Sequence, residues 1–366
     1  MRYRLSPLSC REITTGVAIG SATVTVYKAG GSVLATCYAD TTTATPLTGS
    51  QTTTTSSGYF EFYLDGADYG STQKFKIVIS KAGYSDVTYD QLSIIQAINV
   101  ELNFLDFLPY GYVTDGSVDY TTQLLAALTF ASDNSLGLIF GSKMTIQTSP
   151  IVIANGGNVP LFVDLNGSTL KAKTGSTGVF VKVENPHGVI AYGVSFSNGT
   201  IDANGQCSTG FYLHGSQNAI YGNLRAINST GLGIHISGES GYGVYYNKFS
   251  NILSGQSGSS NGSHGWNIAS IGAGNYIASN GLYLCKAQFN KGDGFYIDWA
   301  NNTYFACESE RNDTYGFNIN NTYSSEFIGG YTEHNHENWA TLGSSDGTPD
   351  TAFNLSANST GVKIYG

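Results

Sequence analysis

A short phrase recurs through the second half of the sequence and limits the possible folds more than any other feature. It consists of Gly, an aromatic or aliphatic residue, any residue, and an aliphatic residue. Its copies begin at Gly210, Gly233, Gly265, Gly294 and Gly316, and a weaker copy begins at Ala352. The copies lie 23, 32, 29, 22 and 36 residues apart. A minimum near 22 with variable extra length predicts a solenoid of stacked coils with loop insertions.

A shift of 22 residues also aligns side chains outside the phrase. It places Cys285 beside Cys307, Asn290 beside Asn312, Lys286 beside Glu308, Gln288 beside Glu310, and Arg311 beside Glu333. Stacked coils lie about 4.8 Å apart, so like residues would form ladders inside and opposite charges would pair outside. This favours a right-handed parallel β-helix. The alternative, an antiparallel β-sandwich over the same stretch, needs no fixed period.

Composition agrees with an all-β chain. Only 12% of the residues are charged, whereas 46 are Gly and 25 are Tyr. Gly, Asn and Thr are weak helix formers that suit turns and half-buried strands. The formal net charge is −9 and Lys and Arg form no cluster, which argues against nucleic-acid binding.

The sequence indicates neither membrane insertion nor a bound cofactor. No apolar run reaches the roughly 20 residues of a membrane span, and residues 1–15 lack the apolar core of a secretion signal. Cysteines occur at Cys10, Cys37, Cys207, Cys285 and Cys307, without metal-binding spacing. We interpret them as small apolar core residues of a chain that folds in a reducing compartment.

The patterns along the chain predict two domains joined by a connector. Strands with period-two alternation at 22–27, 59–64 and 74–79, separated by turn signals at Gly30-Gly31 and Ser57-Gly58, predict a β-sandwich over residues 1–103. Residues 104–119 read as a connector. A helix is predicted from Tyr120 to about Ser132, with Leu124, Leu125 and Leu128 on its buried face and Asp119 as its N-cap. This helix would open a β-helix over residues 120–366.

Two segments resemble known families. Gly20–Tyr27, Pro46-Leu47, Thr55–Phe60 and Lys81–Tyr84 resemble the immunoglobulin-like, or prealbumin-like, module of phage tail proteins. Asp115–Thr122, followed by Ala126-Ala127, resembles the opening of pectate-lyase-like β-helices, including many tailspikes, in which the helix caps the first coil. Gly141-Ser142-Lys143 departs from the Pro-Gly that this family often has.

The resemblance implies a phage tailspike or tail fibre that recognises host surface polysaccharide, either lipopolysaccharide or capsule. It also implies a homotrimer in the virion tail, assembled in the host cytoplasm, whose N-terminal region contacts other tail proteins. Two roles stay open: a depolymerase of the glycoside hydrolase type, and a non-catalytic adhesin. A cellular polysaccharide lyase or epimerase is a third reading, although such an enzyme would be expected to carry a secretion signal.

Glu308 and Glu310 are the best candidates for a glycosidase pair. With Ser309 facing inward, both carboxylates would face outward about 6.5–7 Å apart, which leans towards the separation of inverting enzymes. Trp299 and Tyr304 precede them and are candidates for stacking on sugar rings. The alternative is a solvated face in which Glu308 pairs with Lys286.

Two further acidic residues complete the candidates. Asp298 follows a repeated strand and should share a column with His214 and Asn320, although turn aspartates are usually structural. Glu333 lies in the polar segment 329–337 with Tyr331, and similar segments occur late in tailspike-type β-helices. We expect Glu333 to be catalytic and Tyr331 to bind glycan, or both to be structural or to lie in trimer contacts.

Overall fold

The computed structural model describes residues 2–4, 18–39, 45–56, 58, 60, 62–65, 68–69, 73–93, 101–109, 111–133, 136–154, 160–184, 193–256, 259–272, 274, 276–335 and 353–365. The sequence features at Cys10, Ser57, Tyr59, Glu61, 336–337 and Ala352 lie outside these residues. The chain divides into two compact units. One comprises Met1–Val100 and Leu108–Tyr112, and the other comprises Glu101–Phe107 and Val113–Gly366.

The first unit contains two antiparallel sheets in its described part. One sheet has the order Gln51–Thr53, Thr23–Lys28, Lys74–Ser80 and Val87–Ser93, and the other pairs Arg2–Arg4 with Tyr63–Asp65. A one-turn 3-10 helix spans Thr48–Ser50. Alternating side chains such as Val24, Phe62 and Ile77 are buried in one core because a strand turns every second residue inward. The predicted sandwich is thus present, and its immunoglobulin-like identity stays a prediction.

The second unit is a parallel β-helix. In its described part, eight strands stack in one sheet: Ile151–Ala154, Val179–Glu184, Thr209–His214, Leu232–Ser237, Trp266–Ala269, Phe295–Asp298, Phe317–Asn320 and Phe353–Leu355. Every pairing within this sheet is parallel and joins one coil to the next.

The remaining strands of the β-helix form a second, folded sheet that closes the coils. Its described strands are Glu101–Asn103, Asp115–Asp119, Gly137–Ile139, Thr145–Thr148, Leu161–Ala172, Val194–Asp202, Ser216–Gln217, Ile220–Ile227, Val244–Tyr245, Lys248–Ser250, Leu253–Ser254, Ile277–Tyr283, Lys286–Gln288, Ala300–Phe305, Glu308–Glu310, Glu326–Ile328, Tyr331–Glu333 and Lys363–Tyr365. The predicted all-β class with a parallel β-helix is confirmed.

The repeated phrase forms the eight-stranded sheet, as its spacing predicts. Its first apolar position lies in one column: Phe211, Ile234, Trp266, Phe295, Phe317 and Phe353. Neighbouring rings in this column stack, with centroids 4.7 Å apart for Phe295 and Phe317 and 4.8 Å apart for Phe317 and Phe353. The variable spacing arises in the loops, whereas the inward side chains keep their register.

Buried asparagines form ladders along the coils. In the longer ladder, the side-chain amides of Asn261, Asn290 and Asn312 each donate to the side-chain carbonyl of the next member, at 2.9, 2.8 and 2.9 Å, and Asn335 is the last acceptor. A second ladder joins Asn247, Asn280 and Asn302. Each amide also satisfies backbone groups at a turn, where the strand ladder is interrupted. The predicted neighbours Asn290 and Asn312 are confirmed, as are Lys286 beside Glu308 and Gln288 beside Glu310.

The helix Thr121–Asp133 and the 3-10 helix Phe104–Phe107 contact each other at the first coils. Leu124 and Leu128 are buried as predicted, but Leu125 is 40% exposed because it lies one residue out of the buried stripe. The Asp119 carboxylate accepts a hydrogen bond from the Thr121 amide at 3.0 Å and so caps the helix.

The start of the β-helix lies earlier than the sequence predicts. Strand Glu101–Asn103, expected in the sandwich, and strand Asp115–Asp119, expected in the connector, both pair in parallel with strands of the coil stack. The Gly116 backbone has a φ of 82°, and Thr145 leaves no room for a side chain there. The segment that its Gly and Pro residues led us to predict as a connector therefore contributes a strand to the coil stack.

The four cysteines in the described part of the chain are core residues, as predicted. Cys37, Cys207, Cys285 and Cys307 are free thiols with buried side chains. Burial raises the pKa of Cys37 to about 12, which keeps this thiol protonated and unreactive. Among the described residues, no helix is long and apolar enough to cross a membrane.

Candidate functional site

The outward side chains of the eight-stranded sheet form two straight columns, which we call the outer wall. One column contains Lys182, Tyr212, His235, Asn267, Tyr296, Asn318 and Asn354, and the other contains Glu184, His214, Ser237, Ala269, Asp298 and Asn320. Alternation within each strand puts these residues on the outer face of the sheet, whereas their neighbours pack into the core. His214 and Ser237 are nevertheless buried there. The predicted column of His214, Asp298 and Asn320 is confirmed.

His214 is the centre of a cluster on this wall. Its Nδ1 lies 3.3 Å from Glu184 Oε1 on the preceding coil, and its Nε2 lies 3.2 Å from Glu239 Oε1. The His214 ring stacks on Tyr242, with centroids 4.4 Å apart and planes 7° apart. Glu239 and Tyr242 come from one short turn, which hydrogen-bonds to itself at 2.9 Å. The imidazole thus lies between two carboxylates and against one aromatic ring, although Nε2 makes no hydrogen bond with Glu239 despite its proximity.

Tyr212 and His235 extend the cluster along the first column. Their rings stack with centroids 4.6 Å apart, and the Tyr212 hydroxyl lies 2.6 Å from Ser237 Oγ. Burial and the neighbouring His214 lower the pKa of His235 to about 4. His235 is therefore neutral at neutral pH and presents a flat, uncharged ring with hydrogen-bonding nitrogens.

Lys182 and Glu184 form the lower end of the cluster. Lys182 Nζ lies 2.8 Å from Glu184 Oε1 and 5.6 Å from the Tyr212 ring centroid. The hydrogen bond from Lys182 is the main cause that lowers the pKa of Glu184, and burial opposes it. Glu184 is therefore ionised at neutral pH.

A second aromatic cluster lies higher on the same wall. His264 stacks on Tyr296 with centroids 5.1 Å apart, and the backbone amide of Asp293 donates to His264 Nδ1 at 3.0 Å. Asp293 itself is buried and accepts from Asn318 Nδ2 at 2.8 Å. Burial lowers the pKa of His264, so this ring is also neutral at neutral pH. Asp293 positions the turn, and Tyr296 and His264 present the exposed surface.

The wall offers flat rings next to amide groups over many coils. Seven side chains of the first column span six steps of about 4.8 Å, roughly 29 Å in all. The His214 cluster was not predicted from the sequence, because its members lie 30 and 25 residues apart and belong to coils of unequal length. The alternation in the repeated phrase does, however, identify the outward position that Tyr212, His235 and Tyr296 occupy.

Glu308 and Glu310 lie on the folded sheet, not on the outer wall. Both face outward around the buried Ser309, as predicted. Glu308 forms an ion pair with Lys286, and Glu310 accepts from Gln288 Nε2 at 2.9 Å and lies 3.2 Å from Arg311 Nε. Each carboxylate thus contacts a cation, which agrees with the alternative of a solvated, paired face.

Glu333 lies one coil above Glu310, not above Arg311. The predicted register is wrong by one residue, because this coil has 23 residues between matched positions and the coil below has 22. The Glu333 carboxylate accepts a hydrogen bond from the Tyr331 hydroxyl, which lowers the pKa of Glu333 and raises that of Tyr331 to about 12. Arg311 nevertheless stays close to Glu333: its backbone amide donates to Glu333 O at 2.9 Å, and its charge also helps to lower the pKa of Glu333. Tyr331 is 51% exposed, so its ring is accessible to a ligand.

The other predicted residues are separated by the fold. Asp298 ends its strand on the outer wall and accepts from Asn321 Nδ2 at 3.0 Å. Trp299 follows with a φ of 51° and lies 5.6 Å from the Tyr323 ring centroid. Tyr304 is 1% exposed and stacks on Phe327 inside the core, so the prediction that it binds glycan is wrong.

No arrangement of metal ligands stands out in the residues that the structure covers. No three His, Cys, Asp or Glu side chains there converge on one point. In particular, Glu184 and Glu239 contact opposite nitrogens of His214 and do not share a centre.

Comparison with known proteins gives only distant likenesses. No family model matches the chain, and no curated protein matches it. It is similar to tailspike protein gp49 of Acinetobacter baumannii bacteriophage Fri1, a capsular polysaccharide depolymerase, at 13% identity over 81% of this chain and 64% of that one, with a TM-score of 0.44.

Two further structures show a similar level of likeness. Tailspike protein 2 of Escherichia coli O157:H7 bacteriophage CAB120 is 15% identical over 78% of this chain and 44% of that one, with a TM-score of 0.42. The A-module of Azotobacter vinelandii mannuronan C-5 epimerase AlgE4 is 13% identical over 72% of this chain and 91% of that one, also with a TM-score of 0.42. These low values assign the chain to no family.

Proposed function

We propose that this chain is a tailspike or tail-fibre protein that binds host surface polysaccharide along the outer wall. The observation that carries the proposal is the outer wall itself. Its first column presents the rings of Tyr212, His235 and Tyr296. Asn267 lies between His235 and Tyr296, and Asn318 follows Tyr296 on the next coil. Ring faces suit the apolar faces of sugars, and amides suit their hydroxyls. Neutral imidazoles add further hydrogen-bonding groups without charge.

The length of the wall supports a polymer as the ligand. A column of roughly 29 Å offers contacts to several sugar units in a row. A small-molecule ligand would instead be expected to occupy an enclosed cavity that covers most of its surface. Lipopolysaccharide and capsule are the ligands that the sequence resemblance implies, and both are extended polysaccharides.

The contacts of the predicted carboxylate pair support binding without cleavage. Glycosidic hydrolysis needs one carboxyl group that keeps a proton for the leaving oxygen. Glu308 contacts Lys286, and Glu310 contacts Arg311 and the Gln288 amide. Both carboxylates are therefore already engaged by neighbouring side chains of the chain itself. An adhesin is therefore the leading proposal.

Hydrolysis is the second candidate, and one observation favours it. Glu308 and Glu310 face outward from one strand, Glu333 lies beside Glu310 on the next coil, and all three are accessible. In this proposal Glu310 or Glu333 assists cleavage, and Tyr331 contacts the sugar. Asp298 and Trp299 would belong to a different surface and would contribute only to binding on the outer wall.

We also propose that the chain forms a homotrimer in the virion tail and that its first unit contacts other tail proteins. Large apolar side chains are exposed on neighbouring coils of the folded sheet, with Leu284 at 54% and Phe305 at 46%. Exposed apolar strips of this kind suit subunit contacts. Sedimentation equilibrium measures the number of subunits directly, and a monomer at micromolar concentration would contradict this part of the proposal.

Binding to lipopolysaccharide and capsule purified from the host tests the leading proposal. We expect Tyr296→Ala to weaken binding about tenfold, since it removes a central ring of the wall. Tyr246→Asn is the matched control, because Tyr246 is 65% exposed on the folded sheet and Asn tolerates its φ of 59°. Equal affinities of both variants and the wild-type protein would contradict binding at the wall.

Sizing of the polysaccharide after incubation separates the adhesin from the hydrolase. The adhesin leaves the chain length unchanged. A hydrolase shortens it, and Glu310→Gln would then abolish shortening while leaving binding intact. Shortening that survives Glu310→Gln would exclude this carboxylate as a catalytic residue.

A further inference from the structure

An open cleft of about 390 Å³ lies on the folded sheet near the start of the β-helix. Its lining includes Thr145, Thr169 and Thr200, which occupy one row on consecutive coils, and Arg225 continues that row on the next coil. Lys171, Asp202 and Asp115 also line it. This cleft belongs to a different sheet from the outer wall and contains none of the predicted site residues.

The two cations of the cleft have no partner among the described residues. Neither Lys171 nor Arg225 forms an ion pair or a side-chain hydrogen bond there, although Lys171 lies directly beside Asp202 in the strand register. Other lysines of the β-helix do pair: Lys173 with Asp119, Lys286 with Glu308, and Lys363 with Glu326. The cleft therefore keeps two positive groups available in a chain whose net charge is −9.

The carboxylates of the cleft are bound by turn residues instead. Asp202 accepts from the Asn204 amide at 2.8 Å and from Asn228 Nδ2 at 2.8 Å. Asp115 accepts from the Ser117 amide at 2.9 Å, and hydrogen bonds from the Ser117 hydroxyl and then from this amide lower the pKa of Asp115. The Oδ1 atom of each carboxylate is thus engaged in its own turn, and neither carboxylate forms an ion pair with Lys171 or Arg225 in the described structure. The two cations can therefore bind an anion from outside the chain.

We propose that this cleft is a subsite for an acidic sugar unit, whose carboxylate binds Arg225 and Lys171 and whose hydroxyls bind the threonine row. Arg225 provides a planar fork of donors that matches a carboxylate, and Lys171 adds a point charge. Threonine hydroxyls both donate and accept, as sugar hydroxyls do. The inference rests on the proposed function and specifies its ligand class as an anionic polysaccharide.

Titration of the full chain with defined probes tests the subsite. The carboxylated probes are tetragalacturonate and a sialic acid tetramer, the neutral probe is maltotetraose, and inorganic phosphate at equal ionic strength tests for a simple anion site. We expect at least one carboxylated probe to bind more tightly than maltotetraose and phosphate, with an affinity that falls as salt is raised.

Substitutions locate the binding. Arg225→Met and Lys171→Met should each weaken the carboxylated probe at least tenfold. Lys248→Met, the control, makes the same charge change on an exposed lysine that lies over Tyr283, and it should change the affinity less than twofold. All these side chains reach the surface, and circular dichroism confirms that each variant folds.

Three results would overturn the subsite: no carboxylated probe binds, both substitutions leave its affinity unchanged, or phosphate binds as tightly as the sugars. The proposed function fails separately. If host polysaccharide still binds in a manner that depends on Tyr296, only the cleft assignment is wrong. If neither the probes nor the host polysaccharide binds, the proposed function is wrong as well.

Discussion

Asn312→Ala removes the middle of the longer buried asparagine ladder. Asn312 is 0% exposed, and its amide donates to Ala287 O at 3.0 Å and to Asn335 Oδ1 at 2.9 Å. Its carbonyl accepts from both the backbone amide and the side-chain amide of Asn290, at 3.1 and 2.8 Å. The alanine variant leaves the Asn290 backbone amide buried without an acceptor.

The cost follows from these contacts. A net loss of about 1 kcal/mol for each of two ladder bonds, together with about 1–3 kcal/mol for the orphaned amide, gives about 3–5 kcal/mol. For a unit of the size of the β-helix, each kcal/mol shifts Tm by about 2 °C. We therefore expect Asn312→Ala to lower Tm on the order of 10 °C.

Thermal unfolding followed by far-ultraviolet circular dichroism measures this shift, in guanidinium chloride if the wild-type transition lies too high. The matched control is Asn223→Gly. Asn223 belongs to an exposed ladder with Asn198 and Asn251, and glycine tolerates its φ of 53°. We expect the control to cost less than about 1 kcal/mol. A shift for Asn312→Ala no larger than that of the control would refute the reasoning.

Three more predictions concern single residues of the β-helix. The pKa of His235 is lowered to about 4, against about 6.5 in the unfolded chain, so its burial costs nothing above pH 6.5 and destabilises the fold by up to about 3 kcal/mol as pH falls towards 4, because only the unfolded chain binds the proton. His235→Gln should flatten the pH dependence of Tm in that window, and an unchanged slope would contradict this. Phe317→Ala should lower the free energy of unfolding by about 3–5 kcal/mol in denaturant titrations, because the ring is buried between Phe295 and Phe353. Tyr304→Phe should leave the affinity for host polysaccharide unchanged in the same titration that tests Tyr296→Ala, and a loss of affinity would show that Tyr304 contacts the ligand after all.

The repeated phrase was enough to predict the core of the β-helix. Phe295 and Phe317 lie 22 residues apart and stack, as the period requires. Asn290 and Asn312 follow the same period and hydrogen-bond. Inward positions are predictable because each coil must bury an apolar or amide side chain at the same place, and the sequence shows this choice directly.

Outward positions were predicted less well because the coils differ in length. One additional residue moves Glu333 above Glu310 instead of Arg311, and a fixed shift of 22 cannot show this. Tyr304 was assigned to the surface, yet the left-handed bend at Trp299 starts a new strand whose alternation turns Tyr304 inward. Turn residues thus set the phase of each strand, and their conformations were not evident from the sequence.

The His214 cluster illustrates the same limit for the candidate site. Glu184, His214 and Glu239 meet only because two strands and one turn align across coils of unequal length. The outer wall as a whole follows from alternation, whereas the partners of each side chain depend on the loops between strands.

Hydroxyl-radical footprinting with host polysaccharide tests the central claim most directly, because it reports the solvent access of individual aromatic and imidazole side chains. We expect oxidation of Tyr212, His235 and Tyr296 to fall when polysaccharide is added. Tyr246 and Tyr283, exposed on the folded sheet, should be oxidised as before. Protection confined to Tyr331 and its neighbours, with no change at the outer wall, would contradict the account and favour the surface around Glu308 and Glu310.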